Sequence, residues 1–127
     1  MALLYENPLV SVIVPTYQRF DEVQEAVNSA LKQTVPVEVI VVDDCSFDPR
    51  YLRLYDIYKN NPRVHIVCMS KNSKELSGAS SAHGLTKNEG LKMSRGEWVA
   101  FLDDDDVFID DDKIKLQIEY MDKNSCL

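Results

Sequence analysis

The chain has 127 residues, 45% of them hydrophobic, and a formal net charge of −7, enough for one compact domain with its own core and too little for two ordinary ones. No apolar run approaches bilayer length and the first residues lack the basic start of a signal peptide, so a cytoplasmic protein without a transmembrane segment is expected, reaching a membrane face only through further regions. The acidic balance excludes nucleic acid as the main partner, and three distant cysteines, Cys45, Cys68 and Cys126, with only two histidines, exclude a zinc site and suit a reducing compartment.

Taken in chain order, residues 10–14 are a short β-branched run ended by Pro15. Residues 22–33 follow as a helix, with Val23, Val27, Ala30 and Leu31 at helical spacing and Asp21 as its cap. Residues 37–42 repeat the apolar pattern and stop at Asp43-Asp44. Asp48-Pro49 then supplies a cap and a proline at the first helical position, opening a helix expected to carry Leu52, Tyr55 and Tyr58. A third strand is expected over 64–69, and an aperiodic, Ser- and Lys-rich loop over 70–83, long enough to suspect a closing role over a ligand.

Residues 84–94 read as a weak helix stopped by Gly96, and 97–102 as a fourth strand. For residues 110–124 the spacing of Ile114, Ile118 and Met121 suits a helix, while Ile114, Leu116, Ile118 and Tyr120 alternate as in a strand. The helix is favoured because Asp110, Asp111 and Asp112 would sit at its positive end. Apolar strands alternating with helices indicate an α/β domain, a Rossmann-like, doubly wound, mostly parallel sheet with helices on both faces. Ligands of such sheets bind beyond the carboxyl ends of the strands, where both acidic clusters fall.

Four adjacent carboxylates, Asp103, Asp104, Asp105 and Asp106, leave the fourth strand. Their mutual repulsion calls for a screening cation, and carboxylate oxygen is the ligand preferred by Mg²⁺ and Mn²⁺. Along a strand-like path Asp103 and Asp105 would share one face, Asp104 and Asp106 the other. An EF-hand loop is excluded: counted from Asp103, the sixth position is Phe108 and the twelfth Ile114, where Gly and Glu are needed. Asp103-x-Asp105 has the form of a haloacid-dehalogenase nucleophile pair, but only 20 residues remain after Val107 for the other motifs. Asp43-Asp44 has the form of a receiver-domain acidic pair, although a strand-helix unit precedes it, and a solvated turn is a further alternative for either cluster.

The ordered set of motifs resembles glycosyltransferase family 2, with the GT-A fold. The pieces are Val-Ser-Val-Ile-Val-Pro-Thr-Tyr-Gln-Arg at 10–19, Ala-Leu-Lys-Gln-Thr at 30–34, and Val-Ile-Val-Val-Asp-Asp-Cys-Ser at 39–46. Lys-Asn-Glu-Gly-Leu at 87–91, Ser-Arg-Gly-Glu-Trp at 94–98 and Phe-Leu-Asp-Asp-Asp-Asp at 101–106 follow. The resemblance implies an inverting glycosyltransferase that binds a nucleotide-diphosphate sugar (UDP-, GDP- or dTDP-linked) with Mn²⁺ or Mg²⁺ and passes the sugar to an unknown acceptor.

By position, the resemblance implies that Pro15, Thr16, Tyr17 and Arg19 belong to the nucleotide-sugar site, with Asp44 on the base. It places Asp103 near the ribose and also on the metal, with Asp105 the best match to the metal ligand. Asp104 with the sugar-nucleotide and Asp106 on the metal leave the register open by one residue. Lys87, where many members carry Arg, and Asn88 would face the diphosphate, at the loss of bidentate geometry. Residues 1–127 would then be a single donor-binding domain that stops before the acceptor-binding half and its general base.

Overall fold

β-Branched residues fill two seven-residue strands, β1 (Val10–Thr16) and β2 (Val37–Asp43), and both are buried almost throughout. The computed structural model describes residues 7–72 and 82–123. Shorter strands β3 (Val64–Cys68) and β4 (Trp98–Phe101) complete a fully parallel sheet in the order β3-β2-β1-β4. In register, Val10 to Thr16 run beside Val37 to Asp43, and Val10 to Ile13 beside Trp98 to Phe101. The chain steps outward from β1 to β3 and then returns to the other side of β1. The topological switch point, and hence the ligand crevice of such a sheet, lies between β1 and β4.

Helix α1 (Phe20–Leu31) starts two residues earlier than its apolar spacing suggested. Arg19 occupies the cap position without a side-chain cap bond, and Asp21 lies inside the first turn, where a carboxylate meets the positive helix end. Asp48 does cap the next segment, accepting from the Arg50 amide at 2.9 Å, but the turns after it are a 3₁₀ helix (Pro49–Arg53) leading into α2 (Leu54–Tyr58). This changes the buried face: Tyr51, Leu54 and Tyr58 enter the core, while Leu52 and Tyr55 are exposed.

Helix α3 (Ala82–Met93) precedes β4, and α4 (Lys113–Lys123) comes after it. In α4 Ile114 and Ile118 are buried and Leu116 and Tyr120 exposed, the helical alternative of the sequence pattern. The expected loop over 70–83 falls largely on residues 73–81, outside the described residues. No helix among the described residues is long and apolar enough to cross a membrane.

The larger core joins Val10, Val12, Val14, Val37, Val39 and Val41 to α1, α2 and α4; Ile13, Ile40 and Val42 form the opposite face. There α3 crosses β1 so closely that a Cβ on Gly90 would lie 2.5 Å from Ile13 Cγ2. The second face is not continuously apolar, as the run at 37–42 suggested: Glu38 is wholly buried within it. Its Oε2 accepts from Ser11 Oγ at 2.6 Å and from the Arg95 amide at 2.8 Å, and its Oε1 from Arg95 Nε at 3.1 Å. His65 Nε2 stands 3.5 Å from Oε1 without hydrogen-bond geometry. A carboxylate can be held here because these donors replace its water.

Gly96 is not the helix stop itself, since α3 ends at Met93. Its amide donates to Ser11 Oγ at 2.8 Å, and a Cβ there would meet the backbone of Ser11 and Val10 at 2.7 and 2.8 Å. Close approach to β1 is what requires glycine.

Candidate functional site

At the carboxyl ends of the strands, the loops after β1, β2 and β4 meet. Leu102 continues the ladder by donating to Ile13 O at 3.0 Å, and the Asp106 amide then donates to Asp103 O at 3.1 Å, closing a turn over 103–106. That turn replaces the strand-like alternation expected from sequence. It brings ligand oxygens of Asp103, Asp105 and Asp106, all exposed, within 4.8 Å of one another. Asp106 joins Asp103 because the chain reverses.

Asp104 alone points inward and is buried. Its Oδ2 accepts from Thr16 Oγ1 at 2.9 Å and the Tyr17 amide at 3.1 Å, and its Oδ1 from Arg19 Nη1 at 3.1 Å. Thr16 Oγ1 also lies 2.7 Å from Tyr51 Oη, which accepts from the Arg19 amide at 2.8 Å. A carboxylate only accepts, so the Thr16 proton goes to Asp104 and the Tyr51 proton to Thr16. The chain of donors runs from the Arg19 amide to Asp104 and ties three loops together. Burial pushes the Tyr51 phenol above its ordinary range, which keeps it a donor.

The loop after β2 is fastened to the same place. Gln18, at φ 58°, donates its amide to Ser46 Oγ at 3.0 Å, while its side-chain oxygen accepts from Phe47 N at 2.7 Å and Asp48 N at 3.0 Å. The Asp44 amide donates to Thr16 O at 2.9 Å, and Asn72 Nδ2 donates to Asp44 O at 3.0 Å. Asp43, the other member of the acidic pair, is buried and accepts from Ser46 N at 3.0 Å. Burial raises its carboxyl above the ordinary range, partly offset by Ser46. Tyr17 and Phe47 leave exposed rings in edge-to-face contact at 6.3 Å.

Of the other residues singled out in the sequence, Pro15 is half-buried at the end of β1 and Asn88 is exposed on α3. Lys87 stands 5.1 Å over the ring of Phe101, the last residue of β4. The segment at 30–34 anchors the chain beyond the acidic turn: Gln33 Nε2 donates to Asp110 O at 2.8 Å and its Oε1 accepts from Ile114 N at 3.0 Å. Beside the end of β4 lies an open groove of about 740 Å³, its lining including Phe101, Val107 and Phe108 together with Asp103 and Asp106.

The carboxylates of Asp103, Asp105 and Asp106 are hard oxygen donors at a spacing one cation can bridge, so they fit Mg²⁺ or Mn²⁺. A positive group already stands against the turn, since Arg19 Nη1 lies 3.0 Å from Asp105 Oδ2. Gln18, Ser46 and Tyr51 were not legible as site residues; polar side chains beside Asp-rich loops were the only signal.

The sequence profile described as "Glycosyl transferase family 2" matches residues 11–126. The chain is 41% identical over 121 residues to the putative teichuronic acid biosynthesis glycosyltransferase TuaG of Bacillus subtilis, covering 94% of this chain and 44% of that protein. The structure of Staphylococcus aureus TarS 1-349 in complex with UDP is similar at a TM-score of 0.72 and 35% identity, over 90% of this chain and 32% of that one. The mannosyltransferase PcManGT of Pyrobaculum calidifontis, in complex with GDP-mannose and Mn²⁺, shares the fold at a TM-score of 0.72 and 24% identity, over 92% of this chain and 33% of that one. The chain thus spans less than half the length of these relatives. With a parallel sheet, a β1/β4 crevice and the ordered motifs in place, the chain belongs to glycosyltransferase family 2.

Proposed function

We propose that this chain is the donor-binding portion of an inverting glycosyltransferase and holds a nucleotide-diphosphate sugar with Mn²⁺ or Mg²⁺. The observation that carries the reading is the turn at the switch point, which faces Asp103, Asp105 and Asp106 outward together while Asp104 is fixed to the β1 loop. Family membership sets the receiver-type alternative aside.

In this reading Tyr17 and Asp44 receive the base, Asp103 the ribose side, and Asp105 with Asp103 and Asp106 the metal. A bound divalent ion supplies Lewis-acid stabilisation to the departing diphosphate. Asp104 orients the turn by holding Thr16, Tyr17 and Arg19 in place. Pro15, Lys87 and Asn88 extend the donor site along the rim. The UDP complex of the similar TarS supports a nucleoside diphosphate as the ligand class. The general base that activates the acceptor belongs to a part of the enzyme beyond these residues, so the 127 residues alone bind donor without transferring sugar.

The test is calorimetric titration with UDP, GDP and dTDP in the presence of Mn²⁺. Binding that is lost with chelator and lost in Asp105→Ala is expected; equal binding in all three conditions refutes the reading.

A further inference from the structure

The acidic turn carries its own cation. Arg19 Nη1 lies 3.1 Å from Asp104 Oδ1 and 3.0 Å from Asp105 Oδ2. The two carboxylates differ in what else they do. Asp104 is buried and also holds Thr16 and Tyr17, whereas the Asp105 side chain is 51% exposed and converges with Asp103 and Asp106.

The Arg19 side chain is itself 48% exposed, while its amide is pinned to Tyr51. The guanidinium can therefore swing without disturbing the loop that carries it. A divalent ion on Asp105 and a guanidinium on the same carboxylate would repel one another. Arg offers a planar fork of donors suited to phosphate oxygens and cannot itself ligate a metal.

We propose that Arg19 is the resident counter-ion of Asp105. It neutralises the turn before a divalent ion arrives, yields Asp105 to that ion, and then turns its guanidinium to the diphosphate. The inference rests on the donor-binding reading and adds a coupling to it. Metal frees the arginine that nucleotide needs, and by linkage nucleotide holds away the arginine that competes with metal.

The test titrates Mn²⁺ alone, followed by electron paramagnetic resonance, into wild type, R19Q, R19K and R50Q, each checked by thermal melting, and repeats the titrations with UDP. Arg50 is the charge control, because its partners are Asp48 and Asp21. R19Q is expected to bind Mn²⁺ about two- to fivefold more tightly than wild type, the range open to an exposed ion pair. UDP should strengthen Mn²⁺ binding by a smaller factor in R19Q than in wild type, while R19K and R50Q stay near wild type for Mn²⁺ alone.

If R19Q binds Mn²⁺ no more tightly than wild type, or R50Q gains as much, the counter-ion role is overturned while donor binding stands. If wild type binds neither Mn²⁺ nor UDP, both fall.

Discussion

Replacing Glu38 by Ala should destabilise the domain more than any surface change, although the residue lies at the amino end of β2, remote from the acidic turn. The carboxylate is wholly buried. Its removal leaves Ser11 Oγ and the Arg95 amide without the acceptor they reach at 2.6 and 2.8 Å, and strips the Arg95 guanidinium of its buried partner. Breaking a buried pair from one side costs about 3–5 kcal/mol. The Arg95 side chain is 36% exposed and can turn to water, which places the expected loss at the lower end, about 3 kcal/mol. Against a total stability of about 5–15 kcal/mol this is a large fraction.

Glu38→Gln keeps the volume and an acceptor oxygen but gives up charge-assisted bonds, so it should lose about 1–2 kcal/mol. Urea unfolding gives both values from midpoints at constant slope. A double-mutant cycle with Arg95→Ala adds a sharper criterion, because the second substitution should cost little once Glu38 is gone. A loss below about 1 kcal/mol for Glu38→Ala, or simple additivity in the cycle, would refute the argument that this pair is a coupled, desolvated unit.

Asp104→Asn should lower stability by about 1–3 kcal/mol through its buried bonds to Thr16 and Tyr17, yet change Mn²⁺ affinity far less than Asp105→Asn; comparing chemical denaturation with Mn²⁺ titration separates the two roles. Gly90→Ala should cost about 1–2 kcal/mol, the clash with Ile13 exceeding the gain in helix propensity, and Ile13→Ala should cost less in that background than in wild type. Asp43→Asn tests a pH effect whose sign is set by burial. The folded carboxyl holds its proton more tightly than the unfolded one, so its contribution to stability is present in acid and lost as pH rises through the folded pKa. The variant should therefore be the more stable protein near neutrality, and the difference should vanish in acid. A difference that persists or grows in acid would contradict this account.

Much of this fold was visible in residue order. β-Branched runs ending in Pro15 and Asp43 favour strands because branching at Cβ costs rotamer freedom in a helix and packs well on a pleated sheet, and Ile114 and Ile118 marked the helical face of α4 against the competing alternation. Position along the chain likewise brought Thr16, Tyr17, Asp44 and the 103–106 run to one rim. The hidden part was set by partners distant in sequence. Glu38 passed as part of an apolar run because its partners Ser11 and Arg95 are 27 and 57 residues away. The buried face of the second helix was misjudged because a 3₁₀ start rotates the side chains relative to an α-helix, exchanging Leu52 for Tyr51. The inward Asp104 could not be told from its neighbours, since the turn over 103–106 decides which carboxylate is spent on hydrogen bonds.

The acidic turn hangs from the shortest strand of the sheet. Among the described residues β4 has four ladder positions and borders only β1, whereas β1 and β2 are braced on both sides. Border strands open locally at a lower free energy than central ones, so the turn can melt away with β4 while the rest of the domain stays folded. A ligand that joins the turn to the Thr16–Arg19 loop would act as a rivet across that seam. Amide exchange in residues 98–106 then becomes a direct gauge of site occupancy.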